Sequence, residues 1–225
     1  MQPYYEQDGI TIYHGDCREV LPSLAPVDLV LTDPPYEVIS RPTNGLRSMD
    51  KAGADKGTCS ITEWLPALCK LATGSLYVWC GTEQVSNIRR EMVDAGLSTR
   101  LCIWEKSNPS PANGEHLWLS SVECCVFGRK AKATFNTFCA SPVWRGPIDQ
   151  RPDHPTPKPE WLFRVIMAAS SNVGDRVLDP FMGSGTTLRA AKDLGRRCIG
   201  IELEERYCEI AAKRLQQSVL ALDVA

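Results

Sequence analysis

Two motifs that lie far apart in the chain contain side chains able to act on a planar amine. The first is Asp33-Pro34-Pro35-Tyr36, directly after the apolar stretch 27–32. An exocyclic amine on a base is a poor nucleophile because its lone pair is delocalised into the ring. A carboxylate on Asp33 and the rigidly held carbonyl of Pro34 could localise that lone pair by accepting hydrogen bonds from the amine, while Tyr36 stacks on the base. The motif therefore predicts four catalytic residues: Asp33, Pro34, Pro35 and Tyr36.

The second motif is a glycine-rich turn within the stretch 177–191, VLDPFMGSGTTLRAA. Gly183 and Gly185 allow the main chain to approach a ligand, and the helix that follows offers unpaired amides to an anionic group. Glu202 ends the next apolar stretch, where an acidic side chain can accept hydrogen bonds from ribose hydroxyls. The spacing is not GxGxxG, and no Gly-Lys-Ser or Gly-Lys-Thr follows, which disfavours a dinucleotide site and excludes a P-loop.

Taken in this order, the two motifs resemble the beta group of amino-methyltransferases, in which the catalytic motif precedes the cofactor motif. The resemblance extends to Asp16-Cys17 and to the stretch 154–162, HPTPKPEWL. It implies S-adenosyl-L-methionine as the cofactor, although Asp16 could equally be a helix N-cap. The residues expected to bind the cofactor are Asp16, Cys17, Asp33, Lys158, Asp179, Phe181, Gly183, Ser184, Gly185, Thr186 and Glu202.

Strand and helix patterns alternate along the chain, which predicts an α/β fold with a doubly wound, mostly parallel sheet. Together with the resemblance, this implies a circularly permuted, Rossmann-like methyltransferase sheet within a single domain, 1–225. The stretches 99–105 and 122–127 predict two antiparallel strands that end the sheet. We interpret this ribbon as the C-terminal antiparallel ribbon of the permuted methyltransferase sheet. For the helix that contains Pro66 we expect Thr62 as the N-cap, because this leaves the proline in the first turn.

Two polar stretches interrupt this alternation, and long loops in compact domains are often functional. We interpret 37–59 as a substrate loop and 131–157 as a short target-recognition segment. The formal net charge is −2, which argues against a strongly basic surface, but bases outnumber acids between 129 and 164, whereas the segment from 202 onwards is acidic. The candidates for contact with nucleic-acid phosphates are Arg129, Lys130, Lys132, Arg145 and Arg151.

The ten cysteines are mostly scattered singly through apolar stretches, with no CxxC pair and no histidines at ligand spacing. This pattern favours reduced, buried thiols and predicts no metal site. We also expect no membrane segment and no signal peptide, which predicts a soluble, cytoplasmic protein.

The predicted function is transfer of a methyl group from S-adenosylmethionine to N6 of adenine in duplex DNA, with the target base flipped into the pocket. The preference for adenine rests on Asp33, since cytosine-N4 members of the family more often carry serine at that position. Cytosine-N4 methylation of DNA, adenine-N6 methylation of RNA and a cofactor-binding scaffold subunit remain alternatives. The recognition sequence stays open, as does the choice between a monomer and a homodimer.

Overall fold

A computed structural model describes residues 2–35, 60–111, 114–149 and 158–217, which form a nine-stranded sheet covered by helices on both faces. The strands are β1 (Tyr5–Gln7), β2 (Ile10–His14), β3 (Val27–Thr32), β4 (Ala72–Cys80), β5 (Ser98–Lys106), β6 (Val122–Arg129), β7 (Val143–Gly146), β8 (Arg176–Asp179) and β9 (Arg197–Glu202). The helices are α1 (Cys17–Val20), α2 (Ile61–Leu71), α3 (Val85–Asp94), α4 (Glu160–Ser170), α5 (Thr186–Asp193) and α6 (Glu205–Gln216). The predicted α/β class is confirmed.

The strand order is β1-β2-β9-β8-β3-β4-β6-β5-β7. Strands β2, β9, β8, β3 and β4 are parallel to one another, whereas β1 and β6 run in the opposite direction. The predicted mostly parallel sheet is therefore correct. The described helices divide between its two faces, with α1 to α3 packed on one apolar cluster and α4 to α6 on the other.

The two halves of the chain meet where β3 lies beside β8. Leu29 pairs with Val177 and Val30 with Leu178. On one side of this contact the sheet continues to β9 and β2, and on the other to β4. Ligands of open α/β sheets bind outside the carboxyl ends of the strands at such a switch in strand order. The permuted order of the motifs thus brings the end of β3 next to the end of β8.

The start of α2 differs from our expectation. The helix begins at Ile61, Ser60 precedes it in extended conformation, and Pro66 lies inside the helix. Thr62 is therefore not the N-cap. The earlier start buries both Ile61 and Trp64, and burial of these two large apolar side chains offsets the cost of a proline that lacks an amide donor.

The antiparallel pairing of β5 with β6 is confirmed, but this ribbon does not end the sheet. Strand β7 pairs in parallel with β5 and forms the outer edge. It comes from the segment 131–157, which we had expected to be a loop. The predicted substrate loop 37–59 lies outside the described residues. Among the described residues, no helix is both long and apolar enough to cross a membrane.

Candidate active site

Asp33 lies at the carboxyl end of β3, where the strand leaves the core. Thr32 just before it is fully buried, whereas the Asp33 side chain is 28% exposed. Pro34 is buried and Pro35 is half-buried. The strand therefore delivers a carboxylate and a rigid main-chain turn to the edge of the sheet, as the sequence predicts. Tyr36, the fourth predicted catalytic residue, lies outside the described residues.

Lys158 reaches this carboxylate from the segment just before α4. Its Nζ lies 2.6 Å from Oδ2 of Asp33, and its side chain is only 9% exposed. The same ammonium lies 5.5 Å from the centre of the buried Trp79 ring, a distance typical of a cation–π contact. We had expected Lys158 at the methionine end of the cofactor. The structure places its ammonium against the predicted catalytic carboxylate, and its place beside the cofactor stays a prediction.

Asp179 ends β8 and is almost completely buried, with 3% of its surface exposed. Thr32 donates a hydrogen bond to Oδ1 over 2.7 Å, Thr187 donates to Oδ2, and the amide of Phe181 donates to Oδ1 over 3.2 Å. These bonds tie β3, α5 and the glycine turn to a single carboxylate. Asp179 therefore holds the loop in place, and its contact with the cofactor stays a prediction.

Burial raises the pKa of Asp179 from 3.8 to about 7, although the three hydrogen bonds oppose the shift. A carboxyl group with a raised folded-state pKa stabilises the fold below its unfolded pKa and loses that contribution as pH rises. We therefore expect the unfolding free energy of the wild type, relative to Asp179→Asn, to fall between about pH 4 and pH 7. Urea unfolding of both proteins across this range checks the expectation. The titration of other groups cancels when the two unfolding free energies are subtracted. A difference between wild type and Asp179→Asn that stays constant with pH would therefore contradict the expectation.

The glycine turn between β8 and α5 requires backbone conformations that favour glycine. Gly183 has a φ of 50° and Gly185 a φ of 81°. A Cβ on Gly185 would lie 2.8 Å from the Cβ of Ala211 on α6, so a side chain would push the turn away from that helix. Of the neighbouring residues, Thr186 is buried and its Oγ1 lies 3.4 Å from Nη1 of Arg214. Ser184 is half-buried.

Glu202 at the end of β9 lies against this turn. Its Oε2 accepts a hydrogen bond from the amide of Gly183 over 2.9 Å, and its Oε1 accepts one from the amide of Glu204 over 2.9 Å. Burial raises the pKa of Glu202 despite these amide donors. A carboxylate has about four acceptor sites. The two amides hold the group in place, and the acceptor capacity that remains suits a pair of ribose hydroxyls.

Asp16 and Cys17 lie at the end of β2, next to Glu202. His14 pairs with Glu202 across the two strands, and the amide of Gly15 donates to the Glu202 carbonyl over 2.9 Å. Asp16 is the N-cap of α1: its Oδ1 accepts from the amide of Arg18 over 2.8 Å, and the Arg18 side chain holds the pKa of Asp16 below its usual value. The N-cap role that the sequence left open is confirmed, and its place beside Glu202 fits a cofactor contact.

Phe181 lies two residues after Asp179, at the start of the turn. It is half-buried and packs edge-to-face on Trp64, with 5.3 Å between the ring centres. The candidate cofactor site is thus formed by the ends of β2, β9 and β8 with the glycine turn, and it adjoins Asp33 at the end of β3. The donors and acceptors present suit a nucleoside with an anionic tail.

Comparisons with known proteins identify the family to which these features belong. The model of a family described as DNA methylase matches residues 82–213, more than half of the chain. The Type II methyltransferase M2.DpnII of Streptococcus pneumoniae is 30% identical over 249 residues, which cover 96% of this chain and 92% of the relative. The chain belongs to the DNA methylase family. The resemblance inferred from the motifs is confirmed.

Solved structures of DNA methylases share the fold. The M1.HpyAVI-SAM complex is 30% identical and has a TM-score of 0.74, covering 92% of this chain and 100% of that one. The cytosine-N4-specific PvuII DNA methyltransferase has a TM-score of 0.78 at 18% identity, covering 98% of this chain and 91% of that one. The second likeness supports the fold alone.

The basic residues predicted for this DNA methylase do not all lie near the candidate site. Arg129 ends β6 and pairs with Ser75, which in turn pairs with Leu29 of β3, so it lies away from the strand end that carries Asp33. Lys130 and Lys132 follow Arg129 in the chain. Glu123 at the other end of β6 is six residues away, or about 20 Å along a strand. Of the candidates in the described residues, only Arg145 lies at the catalytic edge, because its β7 position pairs with Glu105 near the end of β5. Arg151 lies outside the described residues.

Sequence reasoning missed Glu123 and Lys106. Glu123 Oε1 lies 2.7 Å from Nζ of Lys106, and Glu123 Oε2 lies 3.0 Å from Nζ of Lys158. One signal was present in the sequence: Glu123 is a charged residue directly before the apolar run Cys124 to Phe127. A buried charge within a strand is rare unless it is paired or functional.

Proposed function

We propose that this protein transfers the methyl group of S-adenosylmethionine to the exocyclic N6 amine of adenine in DNA. The observation that carries the proposal is the convergence of Asp33, at the end of β3, with the glycine turn and Glu202 across the contact between β3 and β8. When bound, S-adenosylmethionine supplies an electrophilic methyl group on a sulfonium. The protein must then hold that methyl group close to the amine nitrogen and prepare the nitrogen for attack. The N–CH3 bond would form as the S–CH3 bond breaks, and the amine would give up one proton to water.

Asp33 and the carbonyl of Pro34 prepare the nitrogen. Each accepts a hydrogen bond from one amine hydrogen, which localises the lone pair and favours a pyramidal nitrogen. These acceptors are fixed before the substrate arrives, because the carboxylate is held by Lys158 and the main chain by two prolines. Preorganised electrostatics of this kind lower the barrier without a strong general base. The Tyr36 ring remains our prediction for stacking on the base.

The depth of the site favours a flipped base. Pro34 is buried and Asp33 is largely covered, whereas the amine of a paired adenine lies inside the duplex. Extrusion of the nucleotide costs a few kcal/mol, which stacking and hydrogen bonds in the pocket offset. We therefore propose that the target base leaves the duplex before methyl transfer.

Nucleoside analysis tests the substrate. The protein is incubated with duplex DNA, single-stranded RNA and labelled S-adenosylmethionine, and the products are digested to nucleosides. We expect label in N6-methyladenine from DNA. Label only in 4-methylcytosine would contradict the adenine assignment and show cytosine-N4 methylation. Label only in RNA would contradict the DNA assignment and show an RNA methyltransferase. A protein that binds the cofactor but labels neither nucleic acid would be a cofactor-binding scaffold.

Arg145 is our proposed phosphate contact among the described residues. It is 77% exposed, and the ion pair seen in the described part of the chain joins it to the surface carboxylate of Glu105 over 2.7 Å, so a phosphate can compete for it. We expect Arg145→Ala to weaken DNA binding several-fold and to lower the slope of log affinity against log salt by about 1. Fluorescence anisotropy at several salt concentrations measures both. The matched control is Lys132→Ala at the other end of the sheet, which should keep the wild-type slope. Equal losses in the two variants would contradict the assignment.

A further inference from the structure

Glu123 is a mostly buried carboxylate at the catalytic edge of the sheet. Its side chain is 24% exposed. Alternate residues of a strand share a face, so Glu123 lies on the same face as Cys125 and Phe127 of β6, and it is paired with Trp104 of β5. An apolar residue would continue this stripe. A carboxylate here costs free energy unless charged partners compensate it.

Two ammonium groups provide that compensation. Glu123 Oε1 lies 2.7 Å from Nζ of Lys106, whose side chain is 13% exposed, and Glu123 Oε2 lies 3.0 Å from Nζ of Lys158. Burial alone would raise the pKa of Glu123, but the two lysines outweigh it and hold the pKa below its usual range. Since Lys158 also contacts Asp33, the four groups form a continuous chain of alternating charge, Lys106–Glu123–Lys158–Asp33.

We propose that Glu123 is a positioning residue for methyl transfer: it holds the Lys158 ammonium between two carboxylates, so that Lys158 orients Asp33 without neutralising it. This inference rests on the proposed function, in which Asp33 accepts a hydrogen bond from the substrate amine. Without Glu123, Lys158 would lose one of the carboxylates beside it while keeping Asp33. Lys158 would then bind Asp33 more strongly and reduce its capacity to accept a hydrogen bond from the amine.

The geometry of Lys158 supports this role over a purely structural one. Its ammonium has a carboxylate on either side, at 2.6 Å and 3.0 Å, and the Trp79 ring 5.5 Å away. The Trp79 ring is fully buried and Glu123 lies in a strand, so both partners are held by the sheet. Glu123 therefore acts on the reaction through Lys158 and needs no contact with the substrate.

The test is a double-mutant cycle of Glu123→Gln and Lys158→Met, with Glu209→Gln as the control. Glu209 is an exposed residue of α6 that forms an ion pair with Lys213. The readouts are the dissociation constant for S-adenosylmethionine, the single-turnover rate of methyl transfer to DNA and the melting temperature. For Glu123→Gln we expect cofactor affinity within about 3-fold of the wild type and a rate no higher than about one tenth of the wild-type rate. In the Lys158→Met background it should cause no further loss, because the partner through which it acts is gone.

A wild-type rate in Glu123→Gln would overturn the inference. The same fold loss in both backgrounds would overturn it too, as would a loss of cofactor affinity that matches the loss of rate. Should Glu123→Gln fail to fold, Glu123→Asp keeps the charge and withdraws it by one methylene, and its rate should fall with unchanged cofactor affinity. Wild-type protein that methylates neither DNA nor RNA would overturn the proposed function itself. An active wild type with an equally active Glu123→Gln variant would overturn only the role of Glu123, so the two failures are distinguishable.

Discussion

Replacement of Asp33 by alanine is expected to lower the single-turnover rate of methyl transfer by about 10³-fold while cofactor affinity stays within about 3-fold of the wild type. Asp33 lies at the end of β3, whereas the other proposed cofactor contacts at strand ends follow β2, β8 and β9. Removal of the carboxylate therefore affects the acceptor and leaves the glycine turn intact. Rapid-quench methylation of a DNA duplex and calorimetric titration with S-adenosylmethionine measure the two quantities.

A matched control for this variant lies on the same strand. Asp28 is near the other end of β3, where its Oδ2 accepts a hydrogen bond from the amide of Arg176 over 2.8 Å. Asp28→Asn keeps an acceptor for that amide, so its methylation rate should match the wild type. If Asp33→Ala retained more than about a tenth of the wild-type rate, Asp33 would not be the group that activates the amine.

Replacement of Glu202 by alanine is expected to weaken S-adenosylmethionine binding by at least about 100-fold. The variant loses two hydrogen bonds between a charged acceptor and the ribose, each worth about 1.5–3 kcal/mol, and it also leaves the amide of Gly183 without its acceptor. At saturating cofactor the rate should recover to within a few-fold of the wild type, because Glu202 does not contact the amine. Calorimetry gives the affinity, and the rate is followed over a range of cofactor concentrations.

Glu204→Ala is the control that distinguishes loss of the Glu202 carboxylate from a disturbance of the local backbone. Glu204 is exposed, its side chain makes no capping hydrogen bond to α6, and its amide donates to Glu202. The charge of Glu204 is the smallest of the causes of the pKa shift of Glu202. Alanine keeps that amide, so cofactor affinity should be unchanged. Glu202→Ala with wild-type affinity would show that the ribose lies elsewhere.

The sequence was sufficient to predict the framework of the site. The boundaries of β3 agree with the predicted stretch 27–32, and β8 is found where its apolar residues indicated. Strong local signals explain this success: continuous apolar runs mark buried strands, and glycines mark the turn that needs positive φ at Gly183 and Gly185. Placement of β3 beside β8 followed from the order of the two motifs.

The contacts of Lys158 could not be predicted in the same way. Lys158 is 125 residues from Asp33 in the chain, and Glu123 is on a third element, so no local pattern relates them. Their meeting depends on how the end of β6 and the start of α4 are packed around the end of β3. A single charged residue in an apolar strand signals an unusual site, but it does not reveal its partners.

The direction of β6 decided which bases lie near the site. Because β6 runs antiparallel to β4, its last residue, Arg129, lies at the far end of the sheet from Asp33. Charge counted along the chain carries no information about this reversal. Likewise, β7 is only four residues long and follows a polar stretch, and it becomes a strand by pairing with β5. Such short edge strands depend on tertiary pairing more than on their own sequence.

The most direct test of the central claim is a crystal structure of the protein with S-adenosylmethionine. That claim is that the ends of β3, β8 and β9 form one site, with the amine acceptor on Asp33 and the ribose on Glu202. The predicted result is both ribose hydroxyls within about 3.2 Å of the Glu202 carboxylate and the sulfonium methyl directed toward Asp33. A cofactor whose ribose contacts neither oxygen of Glu202, or whose methyl group points away from Asp33, would contradict it.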